Sequence, residues 1–153
     1  MTTRAAFLAV TVYAAACAAP APARVAYTPK VREITVTTVP LLVKEEKSLY
    51  PFLAEATKKG GSLDGKEVYG YSPSSLTVVE GDTIHFTFVN PEDDAHGFVL
   101  PDFAASLAGN SITRATYVAK HAGIFTFQCS VGAHLPMMSG TLTVLSAEAV
   151  TSH

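Results

Sequence analysis

Residues 125–140 read FTFQCSVGAHLPMMSG, and this stretch decides how the rest of the 153-residue chain is interpreted. A strand-like run ends at Cys129, His134 follows five positions later, and two adjacent methionines precede a second strand-like run at residues 140–145. A short loop between two paired strands begins and ends at nearly the same place, so its side chains are expected to converge. The loop therefore brings a thiol, an imidazole and a thioether together.

This combination of donors favours copper. Thiolate and imidazole ligands with a weak, distant axial methionine are typical of copper sites that transfer electrons. Cys129, His134 and His96 are the candidates for the three strong ligands, and either Met138 or Met137 could be the axial one. Zinc would accept the cysteine and the histidines, but methionine is not among its usual ligands. A Cys–His nucleophile pair lacks a third residue to orient it. We therefore predict a copper site.

The other three histidines are not expected to bind the metal. His85 alternates with apolar residues that occupy the core face of a strand, so it should point the opposite way. His121 lies in a turn before a strand, and His153 follows a short polar segment.

The composition describes one globular domain. Hydrophobic residues make up 48% of the chain and charged residues 16%, which indicates a packed core rather than disorder. The net charge of −2 and the scattered lysines and arginines exclude a strongly basic nucleic-acid binder. Short β-rich runs separated by turn residues predict an all-β, antiparallel sandwich or barrel. A short helix is predicted before them, over residues 48–58.

The first residues carry the features of an export signal. A single arginine precedes an apolar stretch that is too short to cross a membrane, and small residues follow it. Residues 21–23, APA, would be a cleavage site that releases an exported protein, whereas residues 15–17, AAC, resemble a lipobox that would make Cys17 a lipid anchor. Both alternatives leave Cys129 without a disulfide partner. A lone thiol in an oxidising compartment is a liability unless a metal holds it.

The resulting organisation has four segments. Residues 1–23 are the predicted export signal, 24–31 a tether, 32–147 the globular domain and 148–153 a polar tail. The tether ends a stretch over residues 18–30 that contains prolines and alanines and no core-forming pattern. We expect the protein to be exported in a bacterium and to lie in the periplasm or at the cell envelope. Membrane contact is expected only through a lipid on Cys17.

Residues 74–145 resemble the cupredoxins, the small blue-copper β-sandwich proteins such as plastocyanin, azurin and sulfocyanin. Three segments carry the resemblance: EGDTIHFTF at 80–88, DAHGF at 94–98 and AGIFTFQC at 122–129. It implies an antiparallel Greek-key sandwich with one type 1 copper bound by His96, Cys129 and His134. In this family the axial methionine is commonly followed by one residue and then glycine, which selects Met138. The related two-copper centres need a second loop cysteine, where this chain has Ala133.

The resemblance also implies a function. Members of the family transfer one electron at a time between redox proteins and carry out no substrate chemistry, so the partner would be a cytochrome, an oxidase or a reductase and the protein a monomer. The alternative is a copper-binding protein for storage, delivery or resistance. Gly97 stands where the family often has an asparagine that ties the two ligand loops together. The acidic run at residues 92–94 would steer a basic partner.

Overall fold

The computed structural model describes residues 26–42 and 51–150. Within these residues nine strands are formed: β1 (Val31–Leu42), β2 (Val68–Ser72), β3 (Ser75–Val79), β4 (Thr83–Asn90), β5 (His96–Leu100), β6 (Phe103–Leu107), β7 (Ser111–Val118), β8 (Gly123–Gln128) and β9 (Ser139–Leu145). The predicted export signal and the last three residues of the predicted tail lie outside the described residues.

The strands form two sheets that face each other. One sheet has the order β2-β1-β4-β7, and the other has the order β3-β9-β8-β5-β6. The predicted all-β sandwich is confirmed. Most neighbours are antiparallel as expected, but β1 lies parallel to β4 and β3 lies parallel to β9. Both parallel contacts join strands that are distant in sequence, which is possible because a crossover of many residues separates them.

The helical segments are short. The helix predicted over residues 48–58 appears as a 3-10 turn, Pro51–Leu53, followed by a single helical turn, α1 (Ala54–Thr57), while residues 48–50 lie outside the described part. A second turn of helix, α2 (Ala147–Val150), follows β9. None of the helices in the described residues combines the length and apolarity needed to cross a membrane.

A cluster of aromatic rings joins the two sheets. Alternation along β4 places Ile84, Phe86 and Phe88 in the core at 0–1% exposure, and His85 on the outer face as predicted. Phe98 of β5 stacks against Phe127 of β8 with ring centroids 4.6 Å apart, and the centroid of Phe88 lies 4.9 Å from that of Phe98. This packing fixes β5 and β8, the two strands whose ends carry the candidate ligands.

A buried carboxylate anchors the start of β1. Asp82, in the turn before β4, is fully buried and accepts hydrogen bonds from the Tyr27 hydroxyl at 2.7 Å, the Lys30 N–H at 2.7 Å and the Arg32 Nε at 2.9 Å. Burial by itself raises the pKa of Asp82, but these hydrogen bonds and one from the Val79 N–H outweigh it and hold the pKa at about 2. Tyr27 and Lys30 belong to the segment predicted as a tether, so its last residues are attached to the sandwich.

Candidate metal centre

The three candidate strong ligands meet at one end of the sandwich. His96 begins β5, Cys129 directly follows β8, and His134 ends the 3-10 turn Gly132–His134. Because β5 and β8 are antiparallel neighbours, the start of one lies beside the end of the other. One ligand atom from each side chain lies within 4.8 Å of the other two.

The geometry of this group suits a bound cation. The Nδ1 atoms of His96 and His134 are 3.2 Å apart, and Nδ1 of His134 lies 3.6 Å from the Cys129 Sγ. The three side chains are 2%, 6% and 0% exposed, respectively. One shared proton can form a hydrogen bond between only two of these three atoms. A metal ion can accept a lone pair from all three at once. Two imidazoles and a thiol form the donor set that copper prefers.

Burial also places His96 in the protonation state that binds metals. Burial lowers the pKa of His96, and the neighbouring His134 lowers it further, while Asp94 acts weakly in the opposite direction. At neutral pH the ring is therefore neutral and keeps a lone pair for a ligand bond.

Two backbone groups approach the sulfur of Cys129. The N–H groups of Gly97 and Val131 point at Sγ with N–S distances of 3.5 and 3.4 Å. Such contacts stabilise a thiolate. The first contact needs a glycine, since a Cβ on Gly97 would collide with the side chain of Ser130. This close approach gives a physical reason for Gly97 where the family often has asparagine.

The two methionines occupy different environments. Met138 is fully buried within the hydrophobic core, whereas Met137 is 60% exposed. The backbone also ties Met138 to two candidate ligands: its N–H donates to the His134 carbonyl and its carbonyl accepts from the Cys129 N–H, both at 2.9 Å. Met138 is thus held inside the ligand loop, while Met137 lies at its surface.

Two tyrosines of β2 also belong to this site, and the sequence analysis missed both. The ring centroid of Tyr69 lies 4.6 Å from that of His96 and 4.7 Å from that of His134, and Tyr71 donates a hydrogen bond to the carbonyl of Gly97. Both tyrosines precede the stretch that resembles cupredoxins, so no motif pointed to them. Their spacing of two residues was the available signal, because it places both rings on one face of a strand.

The remaining histidines do not join the group. His85 contacts Glu33 at 2.8 Å on the exposed outer face of the first sheet, and His121 is exposed in the turn before β8. His153 lies outside the described residues.

Comparison with known proteins supports the fold. No protein-family model matches the sequence, and a search of curated proteins finds no match. Among solved structures the chain is similar to auracyanin A, described as a "blue" copper protein from the green thermophilic photosynthetic bacterium Chloroflexus aurantiacus. The TM-score is 0.50 at 18% identity, and the likeness covers 74% of this chain and 98% of auracyanin A. The chain has the cupredoxin fold.

Parts of two larger proteins have a similar fold. The multicopper oxidase mgLAC matches with a TM-score of 0.53 at 14% identity over 76% of this chain, and a multi-copper oxidase from Pseudomonas thermotolerans with 0.54 at 15% identity over 79%. The likeness covers only 39% and 31% of those two chains. These identities establish the fold alone. Within this cupredoxin fold, the buried group of His96, Cys129 and His134 could hold a copper ion.

Proposed function

We propose that the protein is a mononuclear type 1 copper protein that carries single electrons between redox proteins. The observation that supports this most strongly is the buried convergence of one nitrogen from each of two imidazoles and one cysteine Sγ, all within 4.8 Å of one another, at the end of a cupredoxin sandwich. Copper bound there would supply a one-electron couple that no amino-acid side chain of the site provides. The proposal includes no substrate reaction.

The chain's own part would be to hold the donor atoms still. His96 and Cys129 are attached to paired strands that the aromatic cluster packs together, and Met138 is fixed by backbone hydrogen bonds on the same loop as Cys129. These three side chains and His134 are all buried, so water is kept away from the donor atoms. A rigid, dry donor set changes little between two oxidation states, and this keeps the barrier to electron transfer low.

The electron would pass through the edge of His134. This side chain keeps 6% exposure, and its loop neighbours Pro136 and Met137 lie on the surface. Acidic groups lie at the same end. Burial raises the pKa of Tyr69, and the nearby carboxylates of Asp94, Glu67 and Glu92 raise it further. We infer a basic docking face on the redox partner, a cytochrome, oxidase or reductase, that meets the protein in the periplasm or at the envelope. The signal-like residues 1–23 support that location.

One observation favours the alternative of copper storage, delivery or resistance. The exposed thioether of Met137 lies on the ligand loop, where it could take Cu(I) from a donor or pass it on. Both candidate functions use copper, so the experiment must separate electron transfer from metal exchange.

Titration of the metal-free protein with Cu(II), followed by voltammetry, makes this separation. Electron transfer requires an intense visible thiolate-to-copper absorption band at one equivalent of Cu(II) and a reversible one-electron wave. A colourless protein that binds only Cu(I), and transfers it readily to a chelator, would instead support copper handling.

The axial ligand gives a prediction of its own. Met138→Leu removes the buried thioether, and a lost donor disfavours Cu(II) more than Cu(I), so the reduction potential should rise and the Cu(II) spectrum should change. Met137→Leu is the matched control on the adjacent, exposed residue, and it should leave both properties unchanged. Absorption spectra and voltammetry of the two variants check this. If only Met137→Leu alters them, the axial assignment is wrong.

A further inference from the structure

The plane of the His96 ring must be fixed by a group outside the candidate ligand set. A metal-binding histidine usually donates its second ring N–H to a carboxylate or carbonyl, which fixes the plane of the ring. The Nε2 atom of His96 is buried and has no hydrogen-bond partner among the described residues. Among the described residues, packing against a neighbouring side chain is therefore what can orient this imidazole.

The ring of Tyr69 is in the right place to do so. It meets His96 in a T-shaped contact at an interplanar angle of 64° and lies tilted by 55° against His134. The two imidazoles are themselves 5.0 Å apart between centroids, so one phenol ring contacts both. Tyr69 is only 2% exposed, and a ring packed so tightly has little freedom to move.

The hydroxyl of Tyr69 is fixed as well. It donates a hydrogen bond of 2.6 Å to the carboxylate of Asp94, two residues before His96. Tyr69 is buried and Asp94 is exposed, so the bond lies at the edge of the core. A hydrogen bond to a charged acceptor is worth more than one between neutral groups. The same side chain therefore contacts the imidazole of His96 with its ring and the loop that leads into β5 with its hydroxyl.

We propose that Tyr69 is a positioning residue for the metal centre, which sets the orientation of both histidine rings and joins the strand pair β1–β2 to the ligand loops. Tyr71, on the same face of β2, supports this role through its hydrogen bond to the Gly97 carbonyl and its edge contact with Phe127. In this chain β2 thus connects the two ligand loops. Gly97 has no side chain that could make this connection, unlike the asparagine that the family often has at its position. The inference rests on the proposed function only in taking copper as the metal.

Three variants test the inference. Tyr69→Leu removes the ring, Tyr69→Phe removes only the hydroxyl, and Tyr117→Leu removes a buried tyrosine ring of β7 that packs against Phe103, away from the metal centre. Tyr69→Leu should weaken copper binding by about 10- to 100-fold, the cost typical of losing a residue that orients a ligand. It should also change the Cu(II) electron paramagnetic resonance spectrum. Tyr69→Phe keeps the ring beside both imidazoles and loses only the hydrogen bond to Asp94, so it should retain the wild-type spectrum with at most a small loss of affinity. Tyr117→Leu should lower stability without changing the spectrum or the affinity.

The visible band and the copper affinity of each variant are compared with those of the wild-type protein. A wild-type protein without the visible band would contradict the proposed function, whereas a wild-type band that Tyr69→Leu leaves unchanged, at unchanged affinity, would overturn the role of Tyr69 alone. If Tyr69→Leu does not fold, nuclear Overhauser contacts in the diamagnetic Cu(I) protein decide. Contacts from the Tyr69 ring protons to both imidazoles support the inference, and contacts to neither or to only one overturn it.

Discussion

Replacing Cys129 by serine is expected to abolish the visible absorption of the copper-loaded protein and to lower its copper affinity by more than about 100-fold. A loss of about 100-fold is the upper limit for removing a residue that only supports a ligand, and Cys129 is proposed to be a ligand itself. The band arises from charge transfer between the thiolate and the metal, and a hydroxyl cannot replace a thiolate at neutral pH. The two N–H groups that point at Sγ would face a neutral oxygen. Absorption spectroscopy and competition with a Cu(I) chelator measure the two effects.

Ser130→Ala is the matched control for this variant. Ser130 is the exposed neighbour of Cys129 on the same loop, so its replacement should leave the band in place. Denaturation of the metal-free variants shows whether each still folds. A folded Cys129→Ser protein that keeps the intense band would contradict the assignment of the sulfur ligand.

Replacing Asp82 by alanine is expected to cause the largest loss of stability, about 2–3 kcal/mol of the free energy of unfolding. That range is typical of hydrogen bonds that end on a buried charged group, and the Arg32 side chain, which is 39% exposed, can be hydrated when Asp82 is absent. The fully buried carboxylate accepts hydrogen bonds from residues before β1, from Arg32 of β1 and from the end of β3, and alanine leaves these donors without it. Chemical denaturation of the metal-free protein measures the loss.

The pH dependence of this loss follows from the pKa of Asp82. Because hydrogen bonds hold the folded-state pKa at about 2, below the ordinary value of 3.8, the carboxylate contributes its full stability above about pH 4. This contribution disappears as the pH falls through 3.8 toward 2. The stability difference between wild type and Asp82→Ala should therefore shrink over that interval and stay constant above it.

Asp102 provides the comparison for Asp82. Its carboxylate is 40% exposed and lies 3.7 Å from Lys120, so Asp102→Ala should cost no more than about 1 kcal/mol. Equal costs for the two substitutions, or a difference that does not depend on pH below 4, would contradict the anchoring role of Asp82.

The convergence of His96, Cys129 and His134 could be predicted from the sequence, whereas parts of its surroundings could not. Cys129 and His134 lie on one short loop between paired strands, so their closeness follows from the chain itself. His96 was found because it begins a strand within a recognisable segment. In contrast, β6 (Phe103–Leu107) escaped prediction since its alanines and serine have little preference for strands.

The tyrosines of β2 could not be assigned to the site from the sequence for a different reason. Residues 68–71 have a strand-like composition, but the sequence does not show which strand lies beside them. The contact of Tyr69 with two histidines depends on pairing between β1 and β2 and on the packing of two sheets, which link residues far apart in the chain. The parallel contact of β1 with β4 depends on the same long-range packing. Local periodicity carries no information about such contacts.

X-ray absorption of the copper-loaded protein in both oxidation states tests the central claim most directly, since it reports the atoms bound to the metal. We predict one sulfur at short distance and two imidazole nitrogens, with the same set retained when Cu(II) is reduced to Cu(I). This result would show a site that carries an electron without rearranging. A spectrum without the short sulfur ligand, or loss of an imidazole on reduction, would contradict the account.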